Sequence, residues 1–385
     1  MAASLAARTL ARPSFENAFG ARAFVRAMLD FEAALAQAQA AEGLVPEAHA
    51  RAIVDACGAV AIDEEALVEE GRRNATLAVP LVRMLREHVA RSSKAAAKDV
   101  HRGATSQDVL DTATALCLRP CLDEADRALD AAVRALARRA REHRATPMLA
   151  RTLLQPAMAI PAGLKIARWA AALAADRERL AESQAAGLAL QLGGPVGALE
   201  GMDGKGPAIR HRMALALGLA DVAEWQSHRN AWIDLLDRVG LVVGTCGKIA
   251  RDVALLGQAE VGEMLEAPPS DDAGRSSAMP HKRNPVACAR ALAAAVRMPG
   301  LLATVHASAM GEHERALGGW QAELAAVPEI AAALGAALDF LDTIAASLVV
   351  DPARMRENLA RLAEASPVDP RAVDEVLAAL APHLA

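Results

Sequence analysis

Residues 230–264 read NAWIDLLDRVGLVVGTCGKIARDVALLGQAEVGEM. Within them Trp232, Leu235, Leu236, Val239, Val242, Val243, Cys246, Ile249, Val253 and Leu256 recur at three- and four-residue spacing, which is the period of an amphipathic helix. The spacing predicts one helix of many turns. Its apolar residues occupy more of the circumference than one neighbour buries, so further helices, including those of other copies, are expected around it. The same periodicity runs through about 107–143, 157–186, 285–308 and 317–348. Each stretch is far longer than the mean helix of about 11–12 residues. Long helices joined by short connections form a bundle.

The rest of the composition agrees. Aromatic residues make up 2% of the 385 and Tyr is absent, which disfavours sheets and points to an all-α fold. Hydrophobic residues at 53% and charged residues at 23% are the balance of a folded globular chain. Three parts are expected. Residues 1–100 read as shorter helices broken at Pro46 and at 71–74, residues 101–350 as the bundle, and residues 351–385 as a short helical segment. In the last part Asp351-Pro352 and Asp369-Pro370 each set an N-cap acid before a proline at the first helical position.

A net charge of −5 supplies no single-sign field for a polyanion and argues against a nucleic-acid partner. Five sparse cysteines with no CxxC pair fit a reducing cytoplasm, and Cys117 and Cys121 read as buried packing rather than a metal site. No apolar run is read as reaching the ~18 residues of a membrane span, since 330–350 carries Asp339 and Asp342. The first residues bear arginine but lack the apolar core of a secretory signal, and are read as the chain's own start.

Two loops break the helical pattern. One is Gly193-Gly194-Pro195-Val196-Gly197, continuing to Gly206; the other runs from Ala267 to Pro285. The second contains Ser276-Ser277-Ala278-Met279-Pro280-His281-Lys282-Arg283-Asn284-Pro285, which gathers hydroxyls, cations and an amide before a helix start. Such a loop either surrounds an anion or is a solvated basic connection. His101-Arg102-Gly103-Ala104-Thr105-Ser106-Gln107-Asp108 offers an imidazole and two hydroxyls at the entrance to a long helix, where helix capping is the competing reading. Arg151-Thr152-Leu153-Leu154-Gln155-Pro156 alone signals only a turn.

Together the three segments resemble the fumarase/aspartase superfamily, and the 276–285 stretch looks like its signature read without a gap. Met28-Leu29-Asp30-Phe31-Glu32-Ala33-Ala34-Leu35, 247–252 and Glu312-His313-Glu314-Arg315-Ala316-Leu317-Gly318 support the resemblance, which covers the chain to about residue 360. It implies a three-part all-α fold with a central bundle of very long helices. It also implies a homotetramer in which motifs from three subunits meet at each site, and no cofactor or metal. Amino-acid and nucleotide lyases of the superfamily usually carry a histidine where this chain has Leu153, whereas its branch of bacterial cycloisomerases lacks that histidine as this chain does, so the resemblance is nearest to that branch. The implied reaction is cofactor-free lactonisation of 3-carboxy-cis,cis-muconate, a small polycarboxylate. An elimination yielding fumarate and a non-catalytic structural relative are the alternatives.

By the same resemblance Ser276 transfers the proton, and Lys282 and Asn284 hold a substrate carboxylate. Thr105 and Ser106 hold another, while His101 and Gln155 orient the substrate. Arg151, Thr152, Ser277, Met279 and Arg315 complete the expected lining. A serine hydroxyl is a very weak acid, so backbone donors, Lys282 and the helix start at Pro285 are expected to favour its alkoxide. The chain stops soon after Leu359 where family members continue, which leaves the contribution of that region open.

Overall fold

The computed structural model describes residues 5–267, 270, 272–279, 281–362 and 367–384. Pro280 of the quoted signature, and Pro268, Pro269 and Asp271 before it, lie outside the described residues, as do 1–4, 363–366 and 385. Five long helices pack together as the bundle: α1 (Ser106–Glu142), α2 (Ala162–Gly187), α3 (Asn230–Leu256), α4 (Val286–Ser308) and α5 (Gly319–Ser347). Their directions alternate. The end of α1 meets the start of α2 so closely that a Cβ on Gly163 would lie 2.4 Å from the carbonyl oxygen of Ala140. Gly187 at the end of α2 approaches Ala231 at the start of α3, and Gly240 and Gly247 let α4 lie against α3 through Leu302 and Ala295. Thus α1, α3 and α5 run one way and α2 and α4 the other.

Two helix limits differ from the periodicity. The stretch expected to be helical from 157 starts at Ala162, because Gln155–Pro161 (β2) pairs antiparallel with Pro147–Thr152 (β1) in a hairpin. The stretch expected to run to Met264 stops at Leu256, and Met264–Glu266 (β3) pairs with Leu348–Val350 (β4). Asp351 caps the helix Pro352–Leu359 as expected, accepting from the N–H groups of Ala353 and Arg354 at 2.9 Å. Asp369 sits one residue outside its expected place: Pro370 is the N-cap of Arg371–Ala379, and Asp369 accepts from the Arg371 N–H at 3.0 Å.

The five cysteines are free and buried, and burial pushes the thiols of Cys57, Cys117 and Cys121 up to about 12, as packing residues require. α4 and α5 correct one expectation. Both are long and apolar enough to cross a membrane by length and composition, with mean hydropathy 1.4 and 1.7. The most apolar window of α5 is 67% buried inside the bundle, whereas that of α4 is only 22% buried. α5 is therefore a core helix, and α4 carries an apolar face that its own chain leaves uncovered.

One end of the bundle is tied by a buried ionic cluster. The Arg229 guanidinium donates to Asp111 at 2.8 and 3.0 Å and to Glu323 at 2.7 and 2.9 Å, and lies 4.6 Å from the centre of the Trp225 ring. Trp232 Nε1 and the Ser308 hydroxyl also donate to Glu323. Burial opposes the Arg229 charge, but the two carboxylates outweigh it and hold the guanidinium protonated. Removing the arginine would strand two buried carboxylates. Arg229→Met is expected to cost about 3–5 kcal/mol of stability, read from the shift of the denaturation midpoint, and a loss below about 1 kcal/mol would show that the cluster does not hold the bundle end.

Candidate active site

The 101–108 motif sits at the end of the bundle where α1 begins. Thr105 is the N-cap of α1, and the Asp108 carboxylate reaches back to its N–H at 2.9 Å, so the capping reading of this motif holds. Asp108 is fully buried and also accepts from the N–H groups of Gly193 and Gly194 at 2.9 and 3.0 Å and from Gln191 Nε2 at 2.9 Å. Burial pushes its carboxyl up to about 6 against these donors. Capping uses the backbone of Thr105 and leaves Ser106 half-exposed beside it.

The glycine loop is fitted to this turn. Gly194 has φ +74° and a Cβ there would come within 2.9 Å of the Gly103 carbonyl, so the loop lies directly on the motif. Gln226 extends the contact: its side-chain oxygen accepts from Gln191 at 3.2 Å and its amide donates to the Glu314 carbonyl at 2.9 Å. Arg315 donates to the Pro195 carbonyl at 2.7 Å. His101, Thr105, Ser106 and Arg315 therefore share one end of the bundle.

The signature lies at the opposite end, before α4. Its ends are closed by the Asn284 N–H and side-chain amide, which donate to the Gly274 carbonyl at 2.8 and 3.1 Å, and by a bridge between Arg275 and Arg283. Gly274 has φ +69° and a Cβ would meet the Asn284 carbonyl oxygen at 2.4 Å, so this crossing admits only glycine. Inside the loop the Ser276 hydroxyl oxygen accepts from the N–H groups of Ala278 and Met279 at 3.3 and 3.1 Å. Ser277, Met279 and Lys282 are exposed around it. Two N–H dipoles aimed at one hydroxyl oxygen favour negative charge there.

The helix start contributes less than expected. The carboxylate of Glu266 accepts from the N–H groups of Ala287 and Cys288 at 2.9 and 2.8 Å and so occupies the N-terminal donors of α4. The positive end of that helix is neutralised by a buried acid, and the local donors of the loop carry the stabilisation of Ser276 instead.

The hairpin motif reaches out from this second end. Arg151 is tied back by a two-pronged pair with buried Glu263, at 2.7 and 2.9 Å, so its guanidinium fastens the hairpin to the segment before β3. Thr152 and Gln155 are exposed, and between them Leu153 and Leu154 form the tip at φ +51° and +64°, 96% and 75% exposed. A left-handed Leu-Leu turn costs backbone energy and bares two apolar side chains, a combination characteristic of a functional contact. Sequence reading missed Glu263, Glu266 and Gln191, whose partners are remote in the chain. It quoted Glu32 without a role, although an acid on an otherwise apolar helix face signals a buried partner.

The chain matches the protein family described as Lyase over residues 7–300. It is 45% identical over 356 residues to a 3-carboxy-cis,cis-muconate cycloisomerase of Bradyrhizobium diazoefficiens, covering 92% of this chain and 79% of that one. A Pseudomonas putida protein of the same name is 40% identical over 348 residues, covering 90% and 82%. The solved structure of the 3-carboxy-cis,cis-muconate lactonizing enzyme from Pseudomonas putida superposes with a TM-score of 0.86 at 36% identity, covering 99% of this chain and 88% of that one. With its all-α bundle and the signature loop at 276–285, the chain belongs to this lyase family of the fumarase/aspartase superfamily.

Proposed function

We propose that this protein is a 3-carboxy-cis,cis-muconate cycloisomerase that works without a cofactor in the cytoplasm as a homotetramer. A carboxylate of the substrate adds to its own double bond and closes the lactone ring. The electron pair moves onto the neighbouring carboxylate as an aci-carboxylate, and the reaction ends when a proton reaches carbon. Ser276 delivers that proton, and the pair of N–H donors on its hydroxyl oxygen is the observation that carries the reading, because it stabilises the alkoxide left behind. Lys282 and Asn284 bind the carboxylate that takes up charge, Lys282 by its positive charge and Asn284 by hydrogen bonding. Thr105 and Ser106 hold a second carboxylate, His101 and Gln155 orient the skeleton, and Arg151, Thr152, Ser277, Met279 and Arg315 frame the pocket. Leu153 supports the cycloisomerase over an amine-expelling lyase: the leaving or attacking group is a carboxylate that needs no general acid, and an apolar side chain shapes the wall.

The placement of the motifs supports a site shared between copies, as the proposed tetramer requires. His101, Thr105, Ser106 and Arg315 lie at one end of the bundle and the signature and hairpin at the other, separated by the length of α4, about 34 Å for its turns. One chain does not bring them within reach of one small molecule. The bare faces of α3 and α4, with Leu241 and Val296 outward, offer the apolar surface on which other copies pack. The division 1–100, 101–350 and 351–385 belongs to the same reading.

An ultraviolet assay of the purified protein with 3-carboxy-cis,cis-muconate, argininosuccinate and adenylosuccinate decides the substrate. Turnover of the first alone is the expected result. Efficient turnover of either succinate despite Leu153 would overturn the assignment.

A further inference from the structure

The turn at 100–102 is held more firmly than a helix entrance requires. His101 has φ +61°, a left-handed conformation uncommon for a residue other than glycine. Its flanking carbonyls are both fixed from a distance: Arg86 donates to Val100 O at 2.9 Å and Gln39 Nε2 to Arg102 O at 2.7 Å. The imidazole is fixed as well, with Nδ1 2.6 Å from Oε1 of Glu32, a carboxylate whose side chain is wholly inaccessible to solvent. Gln39 and Glu32 stand two turns apart on one helix, Ala21–Ala41, so a single element sets both the backbone and the ring of His101. The second oxygen of Glu32 is buried with no hydrogen-bond partner. A buried carboxylate so poorly provided with donors is a costly arrangement, and its one hydrogen bond among the described residues goes to His101.

We propose that Glu32 is a positioning residue of the site: it holds His101 as an imidazolium, with Nδ1–H donated to the carboxylate and Nε2–H left for the anionic substrate. Only the last step rests on the function proposed above. Geometry and charge agree on the protonation state. Burial works against the charge, but contact with Glu32 and the more distant Asp108 outweigh burial and the opposing Arg86, so His101 keeps its proton above the ordinary histidine range. The adjacent Arg102 turns away, toward the Leu44 carbonyl at 3.0 Å and toward Asp99 and Asp203. A cation built this way serves a substrate that is itself a polyanion, on a protein whose net charge is negative.

The test is a titration of the full-length enzyme labelled in histidine, without substrate, with the His101 signal identified by its loss in His101→Asn. A midpoint above the ordinary histidine value of about 6.5 is expected, falling in Glu32→Gln. A wild-type midpoint at or below 6.5, or an unchanged midpoint in the variant, would overturn the pairing; the wild-type measurement decides alone if Glu32→Gln does not fold. The kinetic arm follows kcat/KM for 3-carboxy-cis,cis-muconate against pH. Its alkaline limb should move to lower pH in Glu32→Gln, which a merely structural acid would not produce. If the titration moves and the limb does not, the dyad stands and His101 is removed from substrate binding, so the functional reading fails rather than the pairing.

Discussion

Ser276→Ala is expected to lower turnover by about 10²–10⁴-fold, the typical contribution of a positioned proton-transfer group, with far-ultraviolet dichroism and assembly unchanged. The separation of effects follows from where the residue sits. Ser276 lies in a loop closed by Gly274 and Asn284, and its hydroxyl receives hydrogen bonds from Ala278 and Met279 without entering the hydrophobic core. Its loss therefore removes a reacting group and a turn contact, and no core packing. Ser277 is exposed beside it, and the N–H donors of Ala278 and Met279 go to Ser276, so Ser277→Ala should cost much less. Equal losses at the two serines, or full activity in Ser276→Ala, would assign the proton to another group. Glu266 gives a related control: it occupies the N-terminal donors of α4, so the helix field at Ser276 is already offset before any substrate binds.

The long helices were legible because their information is local. Trp232 to Leu256 marks its buried face every three or four residues, and the observed helix starts at the predicted Asn230. What the periodicity misses is nonlocal. Val261 and Met264 continue the spacing, yet the chain turns at Gly262, with φ +64°, because β3 pairs with β4 more than eighty residues later. Likewise 155–161 has no alternating pattern of β-branched residues, and its strand is held by β1 and by the bond from Arg151 to Glu263, 112 positions away. The site divides in the same manner. Thr105, Ser276 and Lys282 are visible as motifs, since their chemistry is concentrated in short runs. Glu32, Glu266 and Gln226 are single polar residues in unrelated segments, and only the folded chain brings them to His101, to α4 and to the glycine loop.

Mixing two inactive proteins is expected to restore activity. Ser276→Ala disables the signature end of the bundle and a Thr105 variant, Thr105→Val, disables the other end; each alone should be nearly inactive as a homotetramer. The two ends lie about 34 Å apart along α4, so in the proposed shared site the serine comes from one copy and the threonine from another. In tetramers co-expressed from equal amounts of the two variants, about a quarter of the sites would combine the intact serine of one chain with the intact threonine of its neighbour. Activity should rise toward that fraction and disappear again when the two variants are purified apart. The cap bond at Thr105 is made by its backbone N–H, which valine keeps, so the start of α1 should stay formed, and dichroism of each homotetramer checks this apart from loss of the site. If the motifs acted within one chain, every site in the mixture would keep one defect and no activity would return. A stable, active monomer in sedimentation would exclude the shared site by the same reasoning, because the exposed Leu153 and Leu154 tip and the bare face of α4 would then have no partner to meet.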